Sequence, residues 1–138
     1  MLVREVMTPD PLTVQPDDTL RTAQERMAAC ACRRLPVVDE NGHLVGIITD
    51  RDVRLALNSP LVLRERWQDD MLVNQTTVEV CMTPDPIVIA PDAPVQDAAD
   101  ILLKRKISGL PVLEGDRLVG IITVTDLLGA LCALLRAG

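Results

Sequence analysis

Gly46-Ile47-Ile48-Thr49-Asp50-Arg51-Asp52 and Gly120-Ile121-Ile122-Thr123-Val124-Thr125-Asp126 each end an apolar run in a threonine and place an aspartate three residues further on. The pattern reads as a buried strand turning directly into a helix, and two explanations fit it. In the first, the threonine bonds the exposed amides of the first helical turn while Asp52 or Asp126 complements the positive end of the helix dipole. In the second, the same groups bind a nucleoside. A carboxylate accepts both hydrogen bonds of a ribose cis-diol, and a hydroxyl with helix-start amides meets a phosphate. Spacing alone leaves both open.

The other reactive residue types offer less. His43 is the one histidine; it falls in a turn, reads as a surface residue and has no acid–base partner, so nucleophilic catalysis and an enzyme are not expected. Cys30, Cys32, Cys81 and Cys132 form no Cys-x-x-Cys pair and find no second ligand set for a metal. They read as reduced, small apolar residues, since a Cys30–Cys32 bridge would be strained. Trp67 is the single aromatic side chain, so the core must be aliphatic and any flat ligand must lie mostly between aliphatic groups. Trp67 itself reads as an anchor tying a connector to the core rather than as a stacking ring.

Fourteen Lys plus Arg against twenty Asp plus Glu leave a net charge of −6, and such a chain gains little from counterion release on a polyphosphate, which argues against nucleic acid as a direct partner. The longest charge-free apolar stretch, Leu127 to Leu135, falls short of the roughly 18 residues a bilayer demands. Met1 to Val6 carries Arg4 and Glu5 with no apolar run behind, so the expectation is a cytoplasmic protein with no membrane partner.

The elements that must position the two junctions come in duplicate. Val6-Met7-Thr8-Pro9-Asp10-Pro11 returns as Cys81-Met82-Thr83-Pro84-Asp85-Pro86, and Leu35-Pro36-Val37 returns as Leu110-Pro111-Val112. A repeat of this length means two copies of one supersecondary unit, each too small to bury its apolar face alone. Leu12 to Gln15 and Ile87 to Ala90 read as extended segments. Leu20, Ala23, Met27 and Cys30 then recur at helical spacing, as do Val95, Ala98, Leu102 and the stem of Lys106. Asp18 is placed to cap the first of these helices, and Pro94 suits the first helical position of the second. Hairpins follow, Leu35–Asp39 with His43–Thr49 and Leu110–Leu113 with Leu118–Thr123, and helices Asp50–Leu57 and Thr125–Leu135 close the copies. The fold class is therefore α/β (α+β), strand-helix-strand-strand-helix twice. Residues 1–58 form the first unit, 59–76 a charged connector with one helical turn near Trp67, and 77–138 the second unit.

The doubled Met-Thr-Pro lead-in, Leu-Pro-Val strand and Gly-Ile-Ile-Thr-x-x-Asp junction resemble a stand-alone tandem CBS domain pair, or Bateman module, over nearly the whole chain. The resemblance implies two pseudo-symmetric units packed sheet to sheet, with adenosine-type regulatory ligands (AMP, ADP, ATP or S-adenosylmethionine) in clefts between them and no obligatory cofactor. It implies that Asp126 and Thr123 hold ribose and phosphate at one site and Asp52 and Thr49 at the other. The adenine side would then draw on Thr13, Val14, Ile87, Val88, Ile89, Gly109, Leu110 and Pro111. Arg33, Arg34, Lys104, Arg105 and Lys106 are the cations available for a phosphate, although a place at helix C-termini explains them equally. Asp50 and Arg51 distinguish the first copy's junction, leaving its occupancy open. The resemblance also implies a homodimer through the second helix of each unit and signalling to a separate regulated protein. The competing reading is a ligand-free structural or protein-interaction dimer.

Overall fold

The computed structural model describes residues 1–57 and 66–138. They gather into two compact units: a split unit, Met1–Pro11 with Pro86–Gly138, and a continuous unit, Leu12–Asp85. The repeats in the sequence and the compact units thus differ at one place. Each copy's Met-Thr-Pro lead-in belongs to the unit built from the other copy.

In the continuous unit, α2 (Leu20–Cys30) leads into β2 (Arg34–Val38), which pairs antiparallel with β3 (Leu44–Thr49). On the far side of β3 lies β4 (Thr83–Pro84), the lead-in of the second copy. Residues 12–15 run beside β2, where Val14 N donates to Pro36 O at 3.1 Å and Val38 N to Val14 O at 2.9 Å. The hairpin turns through Gly42 at φ 81°, the left-handed region that glycine enters without steric cost. Then α3 (Asp50–Leu57), α4 (Arg66–Gln75) and α5 (Val78–Cys81) complete the unit.

The split unit repeats this plan. Its α1 (Val3–Val6) and β1 (Thr8–Pro9) come from the chain start. Next come α6 (Val95–Arg105), β5 (Gly109–Glu114), β6 (Arg117–Thr123) and α7 (Val124–Ala137), with sheet order β1-β6-β5. Residues 87–90 lie beside β5 as residues 12–15 lie beside β2.

Each unit has its own aliphatic core, Val14, Leu20, Leu35, Val37 and Ile48 in one and Val3, Ala98, Leu110, Val112 and Ile122 in the other. Complete burial of a Val, Leu or Ile side chain stabilises by roughly 1.5–3 kcal/mol.

Several local expectations are corrected. Thr19, not Asp18, caps α2 by accepting from Thr22 N at 3.2 Å, because Asp18 is taken up by Gln15 N and Arg26. Pro94 is the N-cap of α6 and Val95 its first residue. Lys106 ends that helix in the left-handed conformation at φ 54° instead of extending it. Residues 58–65, which include the connector's Arg64 and Glu65, lie outside the described residues. The rest is helical for ten residues, docked on α2 through Arg21, which donates to Asn74 and Asp70, each at 3.2 Å. The anchor of this helix is Val73, 4% exposed, whereas Trp67 is 59% exposed and ties nothing to the core. Cys30 and Cys32 flank left-handed Ala31 with their Cα atoms 5.2 Å apart and form a disulfide, where separate thiols were expected. The turn at Ala31 is what brings them together.

Candidate functional site

Both junctions form as the spacing requires: a strand ends in threonine and the next residue begins a helix. In the split unit Asp126 N donates to Thr123 Oγ1 at 3.2 Å, while Thr123 N and Oγ1 donate to Asp126 Oδ2 at 3.0 and 3.1 Å. In the continuous unit Asp52 N donates to Thr49 Oγ1 at 3.1 Å and Thr49 N to Asp52 Oδ2 at 2.9 Å. These are reciprocal capping boxes, with one carboxylate oxygen spent on the backbone and the acidic charge at the positive end of the helix dipole.

The second oxygen separates capping from a further role. Asp126 Oδ1 accepts from Thr8 Oγ1 at 3.1 Å, a hydroxyl carried in by the exchanged lead-in. Thr8 did not figure among the expected site residues. Its repeat in the lead-in motif was the available signal, but nothing local in sequence says that it crosses to the other copy. Asp126 also borders a cavity of about 460 Å³ lined by Met1, Glu5, Val6, Ala130 and Ala133. Two of its six lining residues are acidic, so this side favours hydroxyl or amine donors over phosphate.

Other helix-start amides are largely committed. Asp50 N donates to Arg33 O at 2.8 Å and Val124 N to Ser108 O at 3.0 Å. With Asp52 N and Asp126 N already capped, two of the first three amides of each helix are taken. A phosphate therefore meets fewer free donors here than the sequence suggested.

Gly109 stands directly across the ladder from Thr123, and Arg34 holds the same place opposite Thr49. Arg34 thus starts strand β2 rather than ending a helix, which puts it nearer the Thr49–Asp52 junction than its sequence reading implied. Arg33 is exposed just before it; Lys104 and Arg105 occupy the last turn of α6 and Lys106 its cap. Of the residues expected on the adenine side, Val14, Ile89, Leu110 and Pro111 are buried, which leaves only their backbone for contact with a ligand. Thr13 is half-buried, and Ile87 and Val88 are 38% and 39% exposed, which leaves them the aliphatic faces open to a flat ring. His43 is exposed in its hairpin turn.

Cys81 lies partly buried against the core of the continuous unit. Burial raises its thiol pKa above 9.0, and repulsion from the Asp52 carboxylate adds to the shift.

Comparison with known proteins follows the same duplication. The family model of the CBS domain matches residues 3–59 and 78–133. A CBS domain-containing protein of Dictyostelium discoideum is 39% identical over 99% of this chain and 94% of its own length. Against the inosine-5'-monophosphate dehydrogenase of Mycobacterium leprae, also 39% identical, 87% of this chain spans only 20% of the enzyme. Among solved structures, the CBS domain pair of protein MJ0100 in complex with 5-methylthioadenosine and S-adenosyl-L-methionine superposes with a TM-score of 0.80 at 30% identity, covering 96% of this chain and 97% of that one. CBSX2 of Arabidopsis thaliana in complex with AMP gives the same TM-score, identity and coverage. No helix among the described residues is long and apolar enough to cross a membrane.

Proposed function

The chain belongs to the CBS domain family, and from that premise we propose that it is a regulatory module that binds an adenosine-type ligand, AMP, ADP, ATP or S-adenosylmethionine, and signals occupancy to a separate protein. The observation that carries this reading is Asp126. Its carboxylate is half-buried at the start of α7, oriented through both oxygens and bordering a cavity, a suitable acceptor for a ribose diol. Thr123 stands beside it, Gly109 lies across the ladder with no side chain in the way, and the exposed Ile87 and Val88 offer an aliphatic surface for adenine. Asp52 and Thr49 repeat the arrangement with Arg34 in place of Gly109. That relatives of this architecture bind adenosyl compounds supports the ligand class.

Calorimetric titration with AMP and with 2′-deoxy-AMP tests the reading. A carboxylate holding both hydroxyls loses roughly 1.5 to 3 kcal/mol when one is removed, about tenfold or more in affinity. Equal affinity for the two forms removes Asp126 from the role.

The second reading, a ligand-free interaction module, draws on α7. Leu128, Leu131, Leu134 and Leu135 are 56%, 50%, 56% and 71% exposed on a helix that carries almost no charge after Asp126. The same face supports a homodimer through the second helices of the units, α3 and α7, in either reading. Light scattering that finds a monomer at micromolar concentration, with and without AMP, counts against the dimer.

A further inference from the structure

Residues 12–15 and 87–90 occupy equivalent edges of the two sheets but are held differently. Val14 spends its amide and carbonyl on β2, so alternation along the chain turns the Thr13 carbonyl and the Gln15 amide to the outer edge. Side chains already fill both. Arg26 Nη1 donates to Thr13 O at 2.6 Å, Gln15 N donates to Asp18 Oδ2 at 2.7 Å, and Arg26 Nη1 lies 3.4 Å from Asp18 Oδ2. One ion pair, between Arg26 on α2 and Asp18 just before it, holds both groups of the edge.

Among the described residues the split unit has no such staple. Ile89 makes the same two bonds to β5, with Pro111 O at 3.1 Å and Leu113 N at 3.0 Å, which turns the Val88 carbonyl and Ala90 amide outward. In the repeat, however, Asp18 and Arg26 are replaced by Ala93 and Ile101, aliphatic side chains packed against that unit's core. Neither has an atom that can bond the edge.

An exposed carbonyl and amide two residues apart on a strand edge match the amino donor and ring-nitrogen acceptor of adenine. At Val88 and Ala90 those bonds replace water. At Thr13 and Gln15 they must displace or share partners that include an ionised donor, the stronger kind of hydrogen bond, so less is gained. We propose that Arg26, positioned by Asp18, is a specificity-determining residue that makes the continuous unit the weaker adenine site, so that the split unit fills first. This rests on the nucleotide reading above. It acts on adenine whatever the ligand's tail, unlike the charge of Asp50, which acts on a phosphate.

The test uses the full chain with adenosine and AMP as probes. Asp126→Asn silences the split unit, and in that background Arg26→Ile is expected to tighten adenosine binding at the remaining site tenfold or more. Arg26→Gln, with a shorter uncharged amide, serves as a second variant should the first fold poorly. Without ligand, either variant is expected to speed amide hydrogen exchange in residues 12–15 and leave 87–90 unchanged. An adenosine constant that does not move, or weakens, in a protein that binds AMP overturns this proposal alone. Absence of binding by both compounds to wild type overturns the nucleotide reading and this proposal with it.

Discussion

Thr8 and Asp126 stand 118 positions apart in the chain and meet at 3.1 Å, hydroxyl to carboxylate. The contact exists because β1 leaves its own repeat and pairs with β6, Thr8 opposite Ile121 and Pro9 opposite Gly120. The first copy's lead-in thereby helps build the second copy's junction. Thr8→Val keeps the shape and removes the donor, and the expected cost is about 1 kcal/mol. Hydrogen exchange is expected to rise at the start of α7 and to stay unchanged at the start of α3. Equal loosening of both junctions would contradict the assignment of the lead-in to the split unit.

Two glycines sort by what a methyl group would meet. At Gly120 an added Cβ would lie 2.5 Å from Met7 Sδ and 2.9 Å from the Thr8 carbonyl, so the lead-in passes too close for any side chain. Gly120→Ala is expected to destabilise by about 1 to 3 kcal/mol, the range of overpacked cores. Gly129 is helical with nothing within 4 Å among the described residues, and Gly129→Ala is expected to stabilise by about 0.5 to 1 kcal/mol. Thermal melts of the two variants should move in opposite directions.

The hairpins and main helices were legible because their periods are clean and their turns carry Asn-Gly and Gly-Asp signals. Thr49, Asp52, Thr123 and Asp126 were legible because capping and ribose binding ask for the same residues at the same spacing. What stayed hidden depends on contacts distant in sequence. The exchange of lead-ins leaves no trace in local pattern, since a two-residue strand is too short to carry a period. Arg26 reads as an ordinary polar position on an amphipathic helix until Thr13 is placed beside it. Trp67 misled because size suggested burial, whereas α4 spends the smaller Val73 on the core.

Cys81 predicts an alkaline weakening. Burial, then the Asp52 carboxylate, raises its folded pKa above 9.0, so the unfolded chain releases this proton first. Below pH 9.0 the thiol is protonated in both states and its contribution is fully present; as pH rises through 9.0 toward the folded pKa, the unfolded state gains by ionising and stability falls. Cys81→Val, which places the residue found at Val6 in the repeat, is expected to flatten this part of the profile. Urea midpoints on either side of pH 9.0 measure it, and identical slopes in variant and wild type would reject the thiol as the cause.

Asp126→Asn separates a cap from a ligand group at the junction where geometry serves both. Asparagine keeps the size and still caps, so as a cap alone the change is expected to cost no more than about 1 kcal/mol. It gives up the charge and one acceptor, and the remaining oxygen cannot satisfy Thr123 N, Thr8 Oγ1 and a ribose diol together. A ligand at 100 times its dissociation constant adds about 2.7 kcal/mol to stability, and most of that increment is expected to vanish in the variant while the unliganded melting temperature moves little. Asp52→Asn applies the same test to the continuous unit, where Asp50 places a second carboxylate beside Thr49 and the ligand effect is expected to be smaller. Calorimetry on both variants against wild type gives the answer; nucleotide binding unaltered in both would assign the two carboxylates to capping alone and favour the interaction module.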